Sequence, residues 1–256
     1  MKRLVIVGGA GRMGQALATG LGAMADFKVV SLIDVREPAA LHGASYAKSL
    51  SDNDGPGVDV VIDFSAPESV VASAHWCASH KVGLVIGTTG LSAEQRNAVD
   101  EASTKTGVVM ASNFAIGAVL SERFAAMAAP YFERVEIIEL HHDKKVDAPS
   151  GTSLAAARAI SDARKKAGLA ALDDPTTRQS VTGSRGADVG EGIKVHSVRL
   201  PGLVAHQEIL FGGPGEGLTI RHDSFDRTSF ILGVAIAARA VTSTPKLTIG
   251  IETFIP

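Results

Sequence analysis

The segment from residue 139 to residue 152, ELHHDKKVDAPSGT, combines adjacent histidines, adjacent lysines and a Ser-Gly-Thr run. Because imidazole titrates near neutral pH, His141 or His142 could act as a general acid. Residues 150–152 stand at the start of a predicted helix, where free backbone N–H groups and hydroxyl groups bind anions. Together with Lys145, they indicate a site for a ligand that carries carboxylates.

Local sequence leaves two other interpretations of this segment open. A zinc site would use the histidines as ligands, but neighbouring histidines point in different directions, and neither His-Glu-x-x-His nor a cysteine cluster accompanies them. We therefore predict no metal. The segment could also be a solvated charged loop, so the rest of the chain has to decide.

A second candidate site lies near the N-terminus, where GGAGRMG follows a short apolar run and opens an amphipathic helical pattern. Gly8, Gly11 and Gly14 fit G-x-x-G-x-x-G, a turn that lets backbone N–H groups approach the pyrophosphate of a dinucleotide. Asp34 ends the second predicted strand, where a carboxylate accepts hydrogen bonds from the ribose hydroxyls and favours NADH over NADPH. Arg36 would partly offset that preference.

The elements around this motif alternate between strand and helix, which predicts a doubly wound parallel sheet up to about residue 113. Loops 87–90 and 112–114 follow two of the strands and would reach the nicotinamide and its ribose, although their residues alone could equally form polar turns. Ser92 and Gln95 form a capping-box signature at the start of a helix. The predicted strands are 4–7, 29–33, 58–64, 84–86 and 108–111.

The second half of the chain places several predicted strands in close succession, which indicates a mixed or antiparallel sheet in a second, α+β domain. Its strands are predicted at 135–140, 195–200, 204–211 and 218–221, and its helix at 154–166. The polar connection 168–193 would be a lid, a binding loop or an oligomer contact. A last helix is predicted over 229–241.

Composition argues against several classes of function. The net charge of −2 lacks the basic excess of a nucleic-acid-binding protein. The single cysteine, Cys77, excludes an intramolecular disulfide and fits a reducing compartment. The apolar run 4–7 is too short for a signal peptide, and none reaches the roughly 18 residues of a membrane span. We therefore expect a cytoplasmic protein without nucleic-acid or membrane partners.

Further motifs accompany ELHHDKKVDAPSGT along nearly the whole chain. They are GGAGRMG, DFSAPE (63–68), GTTG (87–90), SNFAIG (112–117) and VRLPGLVAHQEILFGGPGEGLTIRHDSFDR (198–227). In type and in order, this set resembles the dihydrodipicolinate reductase family. The resemblance implies reduction of 4-hydroxy-tetrahydrodipicolinate to tetrahydrodipicolinate with NADH or NADPH, in the diaminopimelate route to lysine.

The resemblance also implies an organisation and a cofactor preference. A Rossmann-like dinucleotide-binding domain would span 1–113, and a C-terminal helix at about 227–256 would return to it. Residues 114–226 would bind the small dicarboxylate substrate and form a homotetramer. Val35 stands where many members of the family carry arginine, so we expect NADH to be preferred and NADPH to be usable.

Residue roles carry over from the same resemblance. His141 would be the proton donor or acceptor, and Lys145 a second proton donor. The residues expected to bind the substrate carboxylates are His142, Lys145, Ser150, Gly151 and Thr152. Those expected to bind the cofactor are Gly8, Gly9, Ala10, Gly11, Arg12, Met13, Asp34, Gly87, Thr88, Thr89, Ala111, Ser112, Asn113 and Phe114.

Overall fold

A computed structural model describes residues 1–52, 57–244 and 246–256. The chain forms two units. Unit 1 comprises Met1–Ala115 and Arg227–Pro256, and unit 2 comprises Ile116–Asp226. Within the described ranges, no helix has the length and apolar character that crossing a bilayer requires.

The regular elements follow one another along the chain with short connections. The strands are β1 (Lys2–Val7), β2 (Phe27–Ile33), β3 (Ser45–Ala47), β4 (Val60–Asp63), β5 (Gly83–Ile86), β6 (Val108–Met110), β7 (Arg134–His141), β8 (Ala187–Asp188), β9 (Lys194–Arg199), β10 (Ala205–Gly213), β11 (Glu216–Ser224) and β12 (Leu247–Ile249). The α-helices are α1 (Arg12–Gly22), α2 (Pro67–His80), α3 (Ala93–Ser103), α4 (Ile116–Ala128), α5 (Gly151–Lys166) and α6 (Ile231–Ala240). Short 3₁₀ turns lie at Leu50–Asp52, Ala129–Tyr131, Arg227–Phe230, Val241–Ser243 and Glu252–Phe254.

Unit 1 contains a seven-stranded sheet in the order β12-β6-β5-β4-β1-β2-β3, and every neighbouring pair is parallel. The strand order reverses between β1 and β4, so the carboxyl ends of these two strands border the crevice where such sheets bind ligands. The predicted doubly wound parallel sheet is confirmed.

The central strands of unit 1 are buried on both faces, as their continuous apolar runs predicted. Leu4, Val5 and Ile6 of β1 are completely inaccessible to solvent, as are the apolar residues at the centre of β4 and β5. The predicted capping box of α3 is present, because Ser92 and Gln95 exchange hydrogen bonds between side chain and backbone.

Unit 2 contains a five-stranded mixed sheet in the order β11-β10-β7-β9-β8, in which only the β7–β9 pair is parallel among the described strands. Helices α4 and α5 contribute small side chains to a core built on one face of this sheet. That core includes Val135 and Ile137 of β7, Ile209 and Phe211 of β10, and Ile160 of α5. The predicted mixed sheet is confirmed.

Several predicted elements differ from the observed ones. Helix α4 and the three-residue strands β3 and β12 were not predicted, and α5 begins at Gly151 rather than at residue 154. The polar connection 168–193 is not structureless, since it contributes β8. It is fixed to the sheet by an ion pair of 2.5 Å between Arg185 and Glu136, and a backbone hydrogen bond from Leu172 to Glu191 joins its two ends.

Candidate active site

The glycine-rich loop of unit 1 packs so closely that side chains would not fit. Gly8 has a φ of +83°, and a Cβ atom there would overlap the carbonyl oxygen of Phe64. A Cβ atom at Gly14 would overlap the carbonyl oxygen of Gly8. The loop therefore turns tightly after β1 and leads directly into α1, which is the arrangement that presents backbone N–H groups to a pyrophosphate.

Asp34 lies against this loop. Its Oδ2 accepts a hydrogen bond of 3.0 Å from the backbone N–H of Ala10, and its Oδ1 accepts one of 3.1 Å from the backbone N–H of Arg36. A cavity of about 520 Å³ opens beside them, a size typical of small-ligand sites. Its lining includes Gly8, Gly11, Asp34, Val35, Arg36, Lys48 and Ser65. The residues present therefore fit a dinucleotide.

The predicted residues after β5 and β6 occupy the carboxyl-end loops of unit 1, in different environments. Thr88 is buried, whereas Thr89 and Ser112 are exposed. The side chain of Phe114 is fully buried and packs on Phe64 with ring centroids 5.5 Å apart. It therefore belongs to the core, and only its backbone is available to a ligand.

Asp63, at the end of β4, organises these loops and was not predicted as a site residue. Its carboxylate is completely buried and accepts hydrogen bonds from Ser65 Oγ at 2.6 Å, Ser73 Oγ at 2.6 Å and Thr88 Oγ1 at 2.9 Å. It also accepts one of 3.1 Å from the backbone N–H of Ser65. The carboxylate thus joins the loop after β4 to the loop after β5.

In unit 2, strand β7 changes from apolar to polar along the face that α4 and α5 cover. Val135 and Ile137 belong to the core, whereas Glu139 and His141 continue the same face towards the end of the strand. This polar end is where His141 lies.

The start of α5 is joined to the same sheet. Ser150 caps the helix by accepting a hydrogen bond of 3.2 Å from the backbone N–H of Ser153. The hydroxyl of Ser153 in turn donates to Oε1 of Gln207 at 2.8 Å, and Gln207 is paired with Glu139 across β10 and β7.

His141 is held by a buried carboxylate. Its Nδ1 lies 2.5 Å from Oε2 of Glu139, a side chain with no solvent exposure. Arg199 donates to the other oxygen, Oε1, at 2.7 Å. Burial by itself would raise the pKa of Glu139, but hydrogen bonds from His141, Arg199 and Ser197 outweigh it and bring that pKa down to about 2. The carboxylate is therefore ionised at neutral pH.

Lys145 joins the same set of contacts through the loop before α5. Its Nζ lies 2.7 Å from each carboxylate oxygen of Asp147, and this contact lowers the pKa of Asp147. The backbone carbonyl of Asp147 accepts a hydrogen bond of 2.8 Å from Arg199. The two predicted catalytic residues, His141 and Lys145, are therefore linked through Glu139, Arg199 and Asp147.

The remaining predicted substrate residues surround the helix start. His142 is exposed, and its backbone carbonyl accepts a hydrogen bond of 3.2 Å from the N–H of Lys145. A Cβ at Gly151, the first residue of α5, would meet no described atom within 4 Å outside its chain neighbours and the backbone of its own helix. Thr152 follows it and is half-buried. The N-terminus of α5 is therefore accessible to solvent, next to the loop that carries His142 and Lys145.

His222 of β11 was also not predicted as a site residue. It pairs with Gln207 across the sheet, and its ring lies against the position of Gly117, where a Cβ would overlap the imidazole. Burial lowers the pKa of His222. No cluster of three or more histidine, cysteine, aspartate or glutamate side chains suited to a metal ion occurs in the described part of the chain.

Two family models match the chain. They are the N-terminus of dihydrodipicolinate reductase, over residues 2–114, and its C-terminus, over residues 117–255. The chain belongs to the dihydrodipicolinate reductase family. The reaction of this family is the reduction of 4-hydroxy-tetrahydrodipicolinate in lysine and diaminopimelate biosynthesis, and the chain is accordingly an oxidoreductase with a nicotinamide cofactor.

Relatives in this family are similar over their full lengths. The 4-hydroxy-tetrahydrodipicolinate reductase of Corynebacterium diphtheriae is 44% identical over 98% of this chain and 97% of its own. That of Mycobacterium marinum is 46% identical over the same shares. Among solved structures, the dipicolinate-bound dihydrodipicolinate reductase from Paenisporosarcina sp. TG-14 aligns with a TM-score of 0.87 and 38% identity over 99% of both chains.

Proposed function

We propose that this reductase binds its dicarboxylate substrate in unit 2, beside the start of α5, and that His141 supplies the proton that the reduction requires. The observation that carries the proposal is the placement of His141 Nδ1 on the buried carboxylate of Glu139 at 2.5 Å. A histidine held in this way has one ring nitrogen left for a ligand, as a general acid or base requires.

The substrate is a ring with two carboxylates, so its binding site requires cationic groups and N–H groups. Lys145 and His142 come from the loop, and the backbone N–H groups of Gly151 and Thr152 come from the first turn of α5. The positive end of the helix dipole favours an anion beside such groups. Ser150, which caps the helix, would add its hydroxyl group.

Protonation is the step that this chain's side chains would perform. A bound nicotinamide cofactor supplies hydride, and hydride addition to the ring leaves excess electron density on it. The 4-hydroxyl group leaves as water together with a ring hydrogen, and hydride and one proton then complete the reduction. Nε2 of the doubly protonated His141 would give up that proton to the ring, while Lys145 would act as a second proton donor. Close placement of acid and substrate is worth far more than acid strength alone.

NADH is proposed as the preferred cofactor, with NADPH usable. Asp34 supports this preference, because its carboxylate faces the glycine-rich loop and would repel a 2′-phosphate. The other residues proposed to hold the cofactor are Gly8, Gly9, Ala10, Gly11, Arg12, Met13, Gly87, Thr88, Thr89, Ala111, Ser112, Asn113 and Phe114.

We propose that residues 1–113 and the C-terminal segment from residue 227 bind the dinucleotide. Residues 114–226 would bind the substrate and form the tetramer contacts. Half-buried apolar side chains on the face of the unit 2 sheet opposite to α4 and α5 support an assembly, since a second copy would cover them. They are Ile138, Leu140, Val198 and Leu210. We propose a cytoplasmic homotetramer, which light scattering would test by measuring the mass of the particle.

The activity is tested by supplying the unstable substrate from a dihydrodipicolinate synthase and following the loss of NADH absorbance. We expect NADH consumption that depends on both proteins. Absence of turnover with either NADH or NADPH, in a preparation that binds the cofactor, would contradict the proposed function.

A further inference from the structure

We propose that Glu139 is a positioning residue that fixes His141 in the Nδ1–H tautomer and so reserves Nε2 for the substrate. This inference rests on the proposed role of His141. It assigns a function to a side chain that the sequence motif includes only as the residue two places before the histidine pair.

The two oxygens of the Glu139 carboxylate face different partners. Oε1 accepts from Arg199 at 2.7 Å, and Oε2 lies 2.5 Å from Nδ1 of His141. Although Oε2 and Nδ1 lie 2.5 Å apart, their contact lacks the angles of a regular hydrogen bond, and neither atom bonds to any other group in the described part of the chain. A carboxylate only accepts, so the proton at this contact belongs to Nδ1, and Nε2 is the nitrogen without it in the neutral ring.

Arg199 secures this arrangement from the neighbouring strand. Arg199 on β9 pairs with His141 on β7. Its guanidinium also donates to the carbonyl of Asp147, in the loop that carries Lys145. Because a guanidinium only donates, it keeps Oε1 occupied and keeps Glu139 from turning both oxygens towards the imidazole.

The same strand contains a matched control in Glu136. It also lies between a histidine and an arginine, with His196 Nε2 at 2.7 Å and Arg185 at 2.5 Å, but on the opposite face of the sheet. Its side chain is about a third exposed, whereas that of Glu139 is fully buried. A glutamine at 136 therefore removes the same kind of carboxylate without touching His141.

Replacing Glu139 by glutamine should invert the tautomer. Glutamine offers one acceptor oxygen and one NH₂ group, and Arg199 can use only the oxygen. The NH₂ group would then face His141 and donate to Nδ1, which forces the proton of the neutral ring onto Nε2. The doubly protonated ring, which the acid role needs, would be opposed by that NH₂ group.

The experiment combines long-range ¹H–¹⁵N NMR of the histidine rings with steady-state kinetics, using wild type, E139Q, E136Q and H141Q. The H141Q spectrum identifies the signals of His141 by their loss. We expect Nδ1–H in wild type and E136Q, and Nε2–H in E139Q. We also expect the kcat of E139Q to fall by about 100-fold or more, with the substrate KM and NADH binding little changed.

Two results would overturn the inference. The first is a wild-type His141 in the Nε2–H tautomer, which needs no variant and is therefore independent of whether E139Q folds. The second is an E139Q protein with wild-type kcat while H141Q is inactive. A fully active H141Q would instead contradict the proposed function of His141, so the two failures are distinguishable.

Discussion

The ammonium group of Lys145 lies 2.7 Å from both carboxylate oxygens of Asp147, two residues further along the same loop. The carboxylate is 58% exposed, and the lysine 19%. Ion pairs with an exposed partner contribute about 1 kcal/mol or less, because water and salt screen them. Asp147 therefore holds Lys145 in place only weakly. We expect a dianionic ligand to replace Asp147 as the partner of the lysine.

Removing this carboxylate should ease ligand binding. We expect D147N to bind dipicolinate about two- to fivefold more tightly than wild type, since the competing pair is worth at most about 1 kcal/mol. K145A should bind it at least about tenfold more weakly. Calorimetry at low ionic strength measures both, with D143N as the control for the loss of a nearby negative charge. Weaker binding by D147N would contradict this account of the pair.

Cofactor preference should depend on Asp34. Wild type is expected to use NADH with a higher kcat/KM than NADPH, because the carboxylate repels a 2′-phosphate. D34N removes that charge and should lower the NADH-to-NADPH ratio by about tenfold, whereas R36A should reduce the use of NADPH alone. A wild-type kcat/KM that favours NADPH by about tenfold or more would refute the preference.

Asp63 should be important for the stability of unit 1. D63N replaces a buried acceptor of several hydrogen bonds by an amide whose NH₂ group faces the hydroxyls of Ser73 or Thr88. We expect a loss of about 2–3 kcal/mol in the free energy of unfolding, with weaker NADH binding. D100N, an exposed aspartate of α3, should stay within about 0.5 kcal/mol of wild type. Urea unfolding of D63N with the same midpoint and slope as wild type would sink this prediction.

Glu139 should also make the free energy of unfolding depend on pH in the acid range. Its pKa is about 2 in the folded protein against an ordinary value of 4.5, so the unfolded chain binds more protons between those values. The stabilisation is complete above about pH 4.5 and is lost as the pH falls towards 2. Over that range we expect the unfolding free energy of wild type to drop by about 3 kcal/mol more than that of E139Q. Urea titrations that give parallel pH curves for the two proteins would exclude this contribution.

The features that the sequence predicted correctly are those with local causes. The run Leu4–Val7 and the glycines after it set a buried strand and a tight turn within a dozen residues. Ser92 and Gln95 form their capping box within four. By contrast, β3 and β12 are three-residue edge strands that exist by pairing with β2 and β6, so their own residues carry little pattern.

The residues that position the candidate site could not be predicted from the sequence, because their contacts join distant parts of the chain. Arg199 reaches Glu139 across 60 residues, and the contact depends on the parallel register of β7 and β9. Asp63 binds Thr88 across 25 residues. Sequence motifs identify the side chains expected to contact a ligand. Which other side chains contact and position them depends on strand register, which the motifs do not specify.

The most direct test of the account is the kcat of H141Q and K145A in the synthase-coupled assay, because both side chains are assigned to proton transfer. We predict a kcat at least about 100-fold below wild type for each, with NADH affinity retained, and a wild-type kcat for the neighbouring variant K144A. A kcat for H141Q or K145A within about threefold of wild type, in the same assay, would contradict the assignment of that residue.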